Sequence, residues 1–122
     1  MINFEALDPK VPIHAQLGAD AAPVVLVNLF AVDPADTDAL LAAWEHDANW
    51  MKRQPGYIST QLHRAIGGSS MFLNYAVWES VAQFRAAFMH PEFKTALSAY
   101  PSSVVTRPHL FTRVAVTNLC TT

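Results

Sequence analysis

Residues 54–88 decide the fold, and they read QPGYISTQLHRAIGGSSMFLNYAVWESVAQFRAAF. Residues 57–64 alternate between polar and apolar side chains, which is typical of a β-strand. The glycine and serine pairs at 67–70 favour a hairpin turn, because glycine accepts the positive φ angles that such turns need. Residues 71–79 are the predicted returning strand, and Ser80 is placed to cap a helix that follows.

A strand and a helix are predicted on the N-terminal side of this hairpin. Residues 24–32 (VVLVNLFAV) form a nearly continuous apolar run, as expected for a central strand that is buried on both faces. Asp33 and Pro34 then supply an N-cap and a first helical residue. Apolar residues at helical spacing continue an amphipathic helix to about Arg53, where a Pro-Gly pair ends it.

The C-terminal part of the chain supplies the remaining elements. His90 and Pro91 break the second helix before a shorter helix that runs to about Tyr100. Residues 110–116 are predicted to form the last strand. The order strand, helix, strand, strand, helix, strand is that of the split βαβ, or ferredoxin-like, α+β fold.

The length of the chain fits a single domain. Its 122 residues leave no room for a second independent core. Residues 1–23 hold three of the eight prolines and show no sustained period, so we predict an irregular N-terminal arm there. The ferredoxin-like domain is expected over residues 24–117, with a C-terminal tail at 118–122.

The predicted sheet is apolar on both faces, although the helices of one chain can cover only one. In the strand at residues 71–79, one face carries Asn74 and Trp78. The other face is equally apolar and consists of Met71, Leu73, Tyr75 and Val77. We expect this second face to be buried against the same face of a second copy, as in a two-fold homodimer.

Composition and charge narrow the function classes. Apolar residues make up 52% of the chain and charged residues 15%, which excludes a disordered protein. The net charge of -2 and the lack of a basic cluster argue against nucleic acid as a partner. Cys120 is the only cysteine, so neither an intramolecular disulfide nor a cysteine metal site is expected. No secretory signal or membrane-length apolar run is visible, which favours a soluble cytoplasmic protein with no membrane partner.

Signatures of common cofactors and nucleophiles are missing. The glycines at 18, 56, 67 and 68 form neither a GxGxxG nor a P-loop pattern. The five histidines show no HxH or HExxH spacing, and Ser69 and Ser70 lack a GxSxG context. These patterns disfavour a nucleotide cofactor, a metal site and a serine nucleophile.

Polar side chains on the apolar strands are the candidate site. Asn28 and Asn74 fall on neighbouring central strands, and Trp78 shares a face with Asn74. A buried amide without partners costs about 1–3 kcal/mol, so each asparagine either closes a local network or serves a ligand. Together the three predict an apolar pocket with a few convergent polar groups. His63 on the adjoining strand is a candidate base, although a lone strand histidine is more often structural.

The other aromatic and charged residues receive ordinary roles. The core and the pocket wall are predicted to include Phe30, Trp44, Trp50, Phe84 and Phe88. The charges of the first helix are predicted to form a solvated face, and they are Glu45, Asp47, Lys52 and Arg53. Neither set is expected to contribute to catalysis directly.

Residues 54–88 resemble the antibiotic biosynthesis monooxygenase family, and within it the small anthrone oxygenases of aromatic polyketide pathways. The likeness lies in the QPGY turn, the N-x-A-x-W strand and the Phe-Arg helix after it, and it extends over about residues 24–115. The resemblance implies a dimeric α+β barrel with a pocket between sheet and helices. It also implies oxygen chemistry with dioxygen as co-substrate and with no metal or organic cofactor.

The resemblance also implies roles for individual residues. The strand amide and indole of these oxygenases fall on Asn74 and Trp78. A first-strand asparagine of some members falls on Asn28, and a histidine of others falls on His63. Where some members carry a pocket tyrosine, this sequence has Phe84, so no phenol is expected there.

The implied reaction oxidises an anthrone, or a related polycyclic phenol or hydroquinone, to a quinone. The protein would bind the flat ring system and stabilise its anion, with His63 as the base. The aromatic residues predicted to hold the substrate are Phe30, Trp50, Tyr57, Phe72, Phe84 and Phe88.

Two other functions stay open at this point. A haem-degrading monooxygenase uses a related barrel and often a first-strand asparagine, which Asn28 could supply, but residues 91–100 contain no histidine for the axial position. A non-catalytic barrel that binds a hydrophobic aromatic metabolite needs the same flat pocket. The sequence also leaves open whether the reaction belongs to polyketide biosynthesis or to general quinol oxidation.

Overall fold

The computed structural model describes residues 2–122, which form one five-stranded sheet and four helices. The elements are β1 (Asn3–Phe4), α1 (Ile13–Gln16), β2 (Val24–Ala31), α2 (Thr37–Met51), β3 (Tyr57–Arg64), β4 (Met71–Trp78), α3 (Val81–Phe88), α4 (Pro91–Leu97) and β5 (Val105–Phe111). A short 3-10 turn at Pro34–Asp36 leads into α2. The strand order β1-β5-β2-β4-β3 confirms the ferredoxin-like α+β fold.

The centre of the sheet is the antiparallel pair of β2 and β4. Asn28 lies directly opposite Asn74 in this pair. β5 flanks β2 and β3 flanks β4, both antiparallel, so the central strands are hydrogen-bonded on both sides. The two asparagines therefore occupy firmly held positions in the middle of the sheet.

The predicted capping residues cap the 3-10 turn before α2 and the start of α3. The side chain of Asp33 accepts a hydrogen bond of 2.9 Å from the Ala35 N–H, and the Ser80 hydroxyl accepts one of 3.1 Å from the Gln83 N–H. Gly56, in the turn before β3, has φ +88°, and a Cβ there would lie 2.5 Å from Gln83. Only glycine fits this turn, which brings the start of β3 close to α3.

The last strand differs from the prediction at residues 110–116, since β5 spans Val105–Phe111. The observed strand contains Pro108, a residue type that is unfavourable in most strands but is tolerated here. The carbonyls of Thr106 and Leu110 accept hydrogen bonds from the side away from β2. Backbone groups alternate in direction along a strand, so Pro108 also points away from β2, and its missing N–H breaks no bond within the central sheet.

The N-terminal arm also differs from the prediction, because residues 1–23 are not uniformly irregular. β1 pairs in parallel with β5, and Ile2, Ile13 and Leu17 are buried. The side-chain amide of Gln16 receives the Leu110 N–H at 2.9 Å and donates to the Leu110 carbonyl at 3.0 Å. Short elements without periodicity thus gain their order from the body of the domain rather than from local preference.

The two faces of the sheet are covered to different extents. Apolar side chains of α2, α3 and α4 pack in core clusters with Phe30, Phe72 and Trp78, which share one face. On the opposite face Tyr75 is 37% exposed, and Leu73 and Val77 are half-buried.

Candidate functional site

A cavity lies between the helices and the covered face of the sheet. It is lined by residues of both hydrophobic core clusters, and it occupies about 660 Å³ including its open mouth. Its walls are mostly apolar, and the polar side chains that line it are Asn28, Asp47, Tyr57, Thr60, Asn74, Trp78, Tyr100 and Thr106. A largely apolar cavity with a few polar groups is the usual form of a small-molecule site.

The two asparagines meet at the sheet wall of this cavity. The Asn28 amide oxygen accepts a 2.5 Å hydrogen bond from the Thr106 hydroxyl, and the Asn74 oxygen accepts one of 2.5 Å from the Thr60 hydroxyl. Neither amide nitrogen has a hydrogen-bond partner within residues 2–122. With both oxygens held by threonines, the site offers two neighbouring N–H₂ donors to a ligand.

Trp78 adjoins the asparagine pair on the same face of β4. It is 2% exposed and makes edge-to-face contacts with Tyr57 at 5.6 Å and with Phe84 at 5.7 Å. Its indole N–H has no hydrogen-bond partner in the part of the chain that the structure describes. The indole is thus firmly packed while its only polar atom stays available.

Asp47 is the functional candidate that the sequence analysis missed. The prediction of a solvated helix face is wrong for this residue, since Asp47 is 9% exposed and lines the cavity. Its Oδ2 accepts a 2.9 Å hydrogen bond from the Tyr100 hydroxyl, while its buried Oδ1 has no partner in the described chain.

The environment of Asp47 favours its neutral form. Burial raises the pKa of Asp47 to about 6, and the hydrogen bond from Tyr100 and the nearby His46 oppose this rise only in part. Burial and the neighbouring Asp47 raise the pKa of Tyr100, so its hydroxyl stays a donor. Burial also raises the pKa of Tyr57, another residue of the cavity wall.

His63 does not reach the cavity. It lies opposite Leu73 on the other face of the sheet, is exposed, and places its Nδ1 3.3 Å from the Leu73 carbonyl. The strand is irregular between Tyr57 and Ser59, which puts Tyr57 on the cavity face with Thr60. Strict alternation from Tyr57 would put it on the face of His63, and the bulge moves Tyr57 alone to the cavity face. The position of His63 on the outer face does not favour its predicted role as the base.

Four of the six predicted substrate-binding aromatics line the cavity, namely Phe30, Tyr57, Phe84 and Phe88. Phe72 instead fills a core cluster, and Trp50 packs against His90 with ring centroids 5.0 Å apart. The N-terminal arm adds Ile2 and Phe4, two wall residues that its lack of periodicity concealed.

Some residues of the site could have been identified from the sequence, and others could not. Thr60 and Thr106 are ordinary strand residues, and only the register reveals that they hold the two amides. Asp47 stands seven residues after Leu40 and four before Met51, which places it on the apolar stripe of α2. That spacing could have identified it as buried.

No metal-ligating cluster is found in the described chain, where no group of three or more His, Cys, Asp or Glu side chains converges. No histidine lines the cavity either, so the position expected for a haem ligand is not supplied there. A separate finding is that residues 2–122 include no helix with the length and hydropathy needed to span a membrane.

Comparisons with known proteins agree with this architecture. The profile of the antibiotic biosynthesis monooxygenase family matches residues 23–99. Deoxynogalonate monooxygenase of Streptomyces nogalater is 34% identical over 98 residues, covering 76% of this chain and 80% of that protein.

Solved structures are similar to this chain as well. SnoaB, a cofactor-independent oxygenase from Streptomyces nogalater, is similar with a TM-score of 0.72 and 28% identity, over 80% of this chain and 99% of that one. A protein from Shewanella loihica PV-4 has a TM-score of 0.68 and 34% identity, over 81% of this chain and all of its own. The chain is therefore a monooxygenase that belongs to the antibiotic biosynthesis monooxygenase family.

Proposed function

We propose that the protein oxidises an anthrone, or a related polycyclic phenol or hydroquinone, to a quinone with dioxygen and without a metal or organic cofactor. The observation that carries this proposal is the pair of free amide donors on Asn28 and Asn74 beside Trp78 in an apolar cavity. Such a cavity suits a flat ring system that bears oxygen atoms. The description of SnoaB as a cofactor-independent oxygenase supports the absence of a cofactor.

In the proposed reaction the substrate supplies its own electrons. A ring methylene loses a proton, and the resulting delocalised carbanion donates one electron to dioxygen. The two radicals combine through a new C–O bond, and protonation gives a hydroperoxide. The second methylene hydrogen then leaves as a proton while the O–O bond breaks, which yields the quinone carbonyl and one water molecule.

The roles of the polar side chains follow from where negative charge develops. The amide N–H₂ groups of Asn28 and Asn74 donate to the substrate oxygen as the enolate forms, and the threonine hydroxyls hold them in place. The indole N–H of Trp78 donates to the peroxide oxygen. The apolar walls keep water from the radical pair and strengthen each of these hydrogen bonds.

The same proposal includes a two-fold homodimer. Leu73, Tyr75 and Val77 lie on the sheet face opposite the cavity, where Tyr75 is 37% exposed. A second copy would cover this face in a self-complementary way and complete a barrel. The dimer would therefore form without obstructing either cavity.

Oxygen uptake by the purified protein tests the proposal. A panel of anthrones and hydroquinones is offered to chelator-treated protein, and the products are identified by mass spectrometry. We expect uptake of one dioxygen per quinone formed, with no absorbance from haem or flavin. The variant Asn28→Ala is the site control, and Asn118→Ala, in the exposed tail, is the matched surface control. Turnover that requires added metal, flavin or haem would contradict the proposal.

A further inference from the structure

Asp47 is an unusual residue for a wall of this cavity. It lies on α2 in line with Leu40 and Ala43, which are both buried. No other carboxyl group lines the cavity in the described chain. An apolar side chain would fill this position at a lower cost, since a buried carboxylate loses its hydration.

The contacts of Asp47 do not compensate for its burial. Its Oδ2 receives the Tyr100 hydroxyl at 2.9 Å, but its Oδ1 has no hydrogen-bond partner within residues 2–122. The ion pair found in that part of the chain joins Arg107 to Glu5, and no arginine or lysine side chain bonds to Asp47. A carboxylate with one bonded and one unbonded oxygen keeps an acceptor position available for a proton.

We propose that Asp47 is the general base that removes the proton from the bound substrate, and that Tyr100 is its positioning residue. This inference rests on the proposed function, since it supplies the base for the first step of that reaction. Oδ1 accepts the proton from the ring methylene, and the electron pair of the broken C–H bond stays on the substrate as the carbanion. The protonated Asp47 then returns that proton to the peroxide anion, so the residue ends each turnover as a carboxylate.

The arrangement of the cavity suits separate roles for the base and the hydrogen-bond donors. Asp47 lies on the helix wall and the asparagine pair on the sheet wall, so a flat substrate between them meets a base on one side and amide donors on the other. Proton removal and stabilisation of the new negative charge then occur on different groups. Because Tyr100 stays protonated, its hydroxyl holds Oδ2, whereas Oδ1 is buried and has no partner in the described chain.

Several titratable groups surround Asp47 and shape its response to pH. Tyr100 contacts it from the segment that follows α4, His46 is its neighbour on α2, and Tyr57 lines the same cavity from β3. Burial raises the pKa of Asp47 to about 6, which matches the range in which a base works near neutral pH. The reaction should therefore slow as pH falls through this value.

The test is the pH profile of kcat/KM for oxygen uptake by three variants and the parent protein. The parent should lose activity below about pH 6, as expected for a base of that pKa. Asp47→Asn should lower kcat/KM by about 10²–10⁴-fold, the usual contribution of a general base. Its remaining activity should show no break near pH 6 and should rise steadily with pH as the substrate ionises unaided.

Tyr100→Phe and Glu45→Gln separate positioning from structural effects. Tyr100→Phe removes the hydrogen bond to Oδ2, so the acid limb should move to higher pH while the ring still stacks on Phe30. Glu45 is exposed on the same helix, and Glu45→Gln should behave like the parent.

The possible failures are distinguishable. If the parent consumes no oxygen with any substrate of the panel, the proposed function fails, and the inference about Asp47 falls with it. If the parent is active and folded Asp47→Asn keeps its rate and its acid limb, only the inference about Asp47 is overturned. An acid limb that Tyr100→Phe leaves in place would remove the positioning role of Tyr100.

Discussion

Replacing Asp47 with asparagine should make the protein more stable at neutral pH, which is the opposite of the usual effect at a buried polar residue. Burial raises the pKa of Asp47 from 3.8 to about 6. Because one pKa unit corresponds to about 1.4 kcal/mol, keeping this carboxylate ionised costs the folded state about 3 kcal/mol above pH 6. Asparagine retains an oxygen for the Tyr100 hydroxyl and carries no charge, so it avoids this cost.

The stability that Asp47→Asn gains over the parent protein should increase with pH. Below a pH of about 4 the carboxyl is protonated in both states, so its burial imposes no ionisation cost there. Between pH 4 and 6 the unfolded chain ionises first, and the stability of the parent falls as pH rises through this window. The advantage of Asp47→Asn should therefore be small at pH 4 and grow by up to about 3 kcal/mol at pH 7.5.

Urea unfolding at pH 4 and pH 7.5 measures this difference directly. Glu45→Gln removes an exposed charge from the same helix and should follow the parent at both pH values. If the advantage of Asp47→Asn is the same at pH 4 and pH 7.5, the carboxylate is not penalised by burial. The reasoning from burial to a raised pKa would then be refuted.

The other predictions concern the site and the outer face. Trp78→Phe should fold normally and lower kcat by about 10–1000-fold, because it removes one donor to the peroxide; full activity would reduce Trp78 to a packing residue. Thr60→Val should lower kcat by about tenfold by releasing the Asn74 amide, a loss measurable by oxygen uptake. His63→Gln, on the opposite face, should change kcat by less than about twofold, and a larger loss would restore it as a base. Leu73→Asp should give aggregated or unfolded protein by light scattering, whereas a stable parent monomer would contradict the dimer.

The fold could be predicted where local signals and long-range packing agree. The turn at residues 67–70 joins two strands of matching length, and Ser80 caps α3 as its sequence position indicates. The last strand begins at Val105 rather than at the predicted residue 110, and it includes Pro108, which is unfavourable in most strands but harmless on the outer side of β5. Which side a backbone group faces depends on the assembled sheet, so no local pattern around Pro108 could reveal it.

The candidate site, like the fold, was predicted only in part from the sequence. Asn28 and Asn74 were placed on neighbouring strands from the predicted order of strands and helices, and the structure puts them directly opposite each other. The bulge near the start of β3 has no clear sequence signal, so strict alternation would put Tyr57 on the outer face with His63, whereas the structure puts it in the cavity. Asp47 was overlooked for a different reason, since charge was given more weight than its position on the apolar stripe of α2.

The contacts along the outer edge of β5 have a consequence for solubility. An uncovered edge strand is a template for pairing with another chain, which leads to aggregation. Here Asn3 and Glu5 donate to the Val104 and Thr106 carbonyls, and the Gln16 side chain takes both backbone groups of Leu110. Pro108, between them, has no N–H to offer. A foreign strand would find almost no free partner along this edge, so the sheet is protected from growing in that direction.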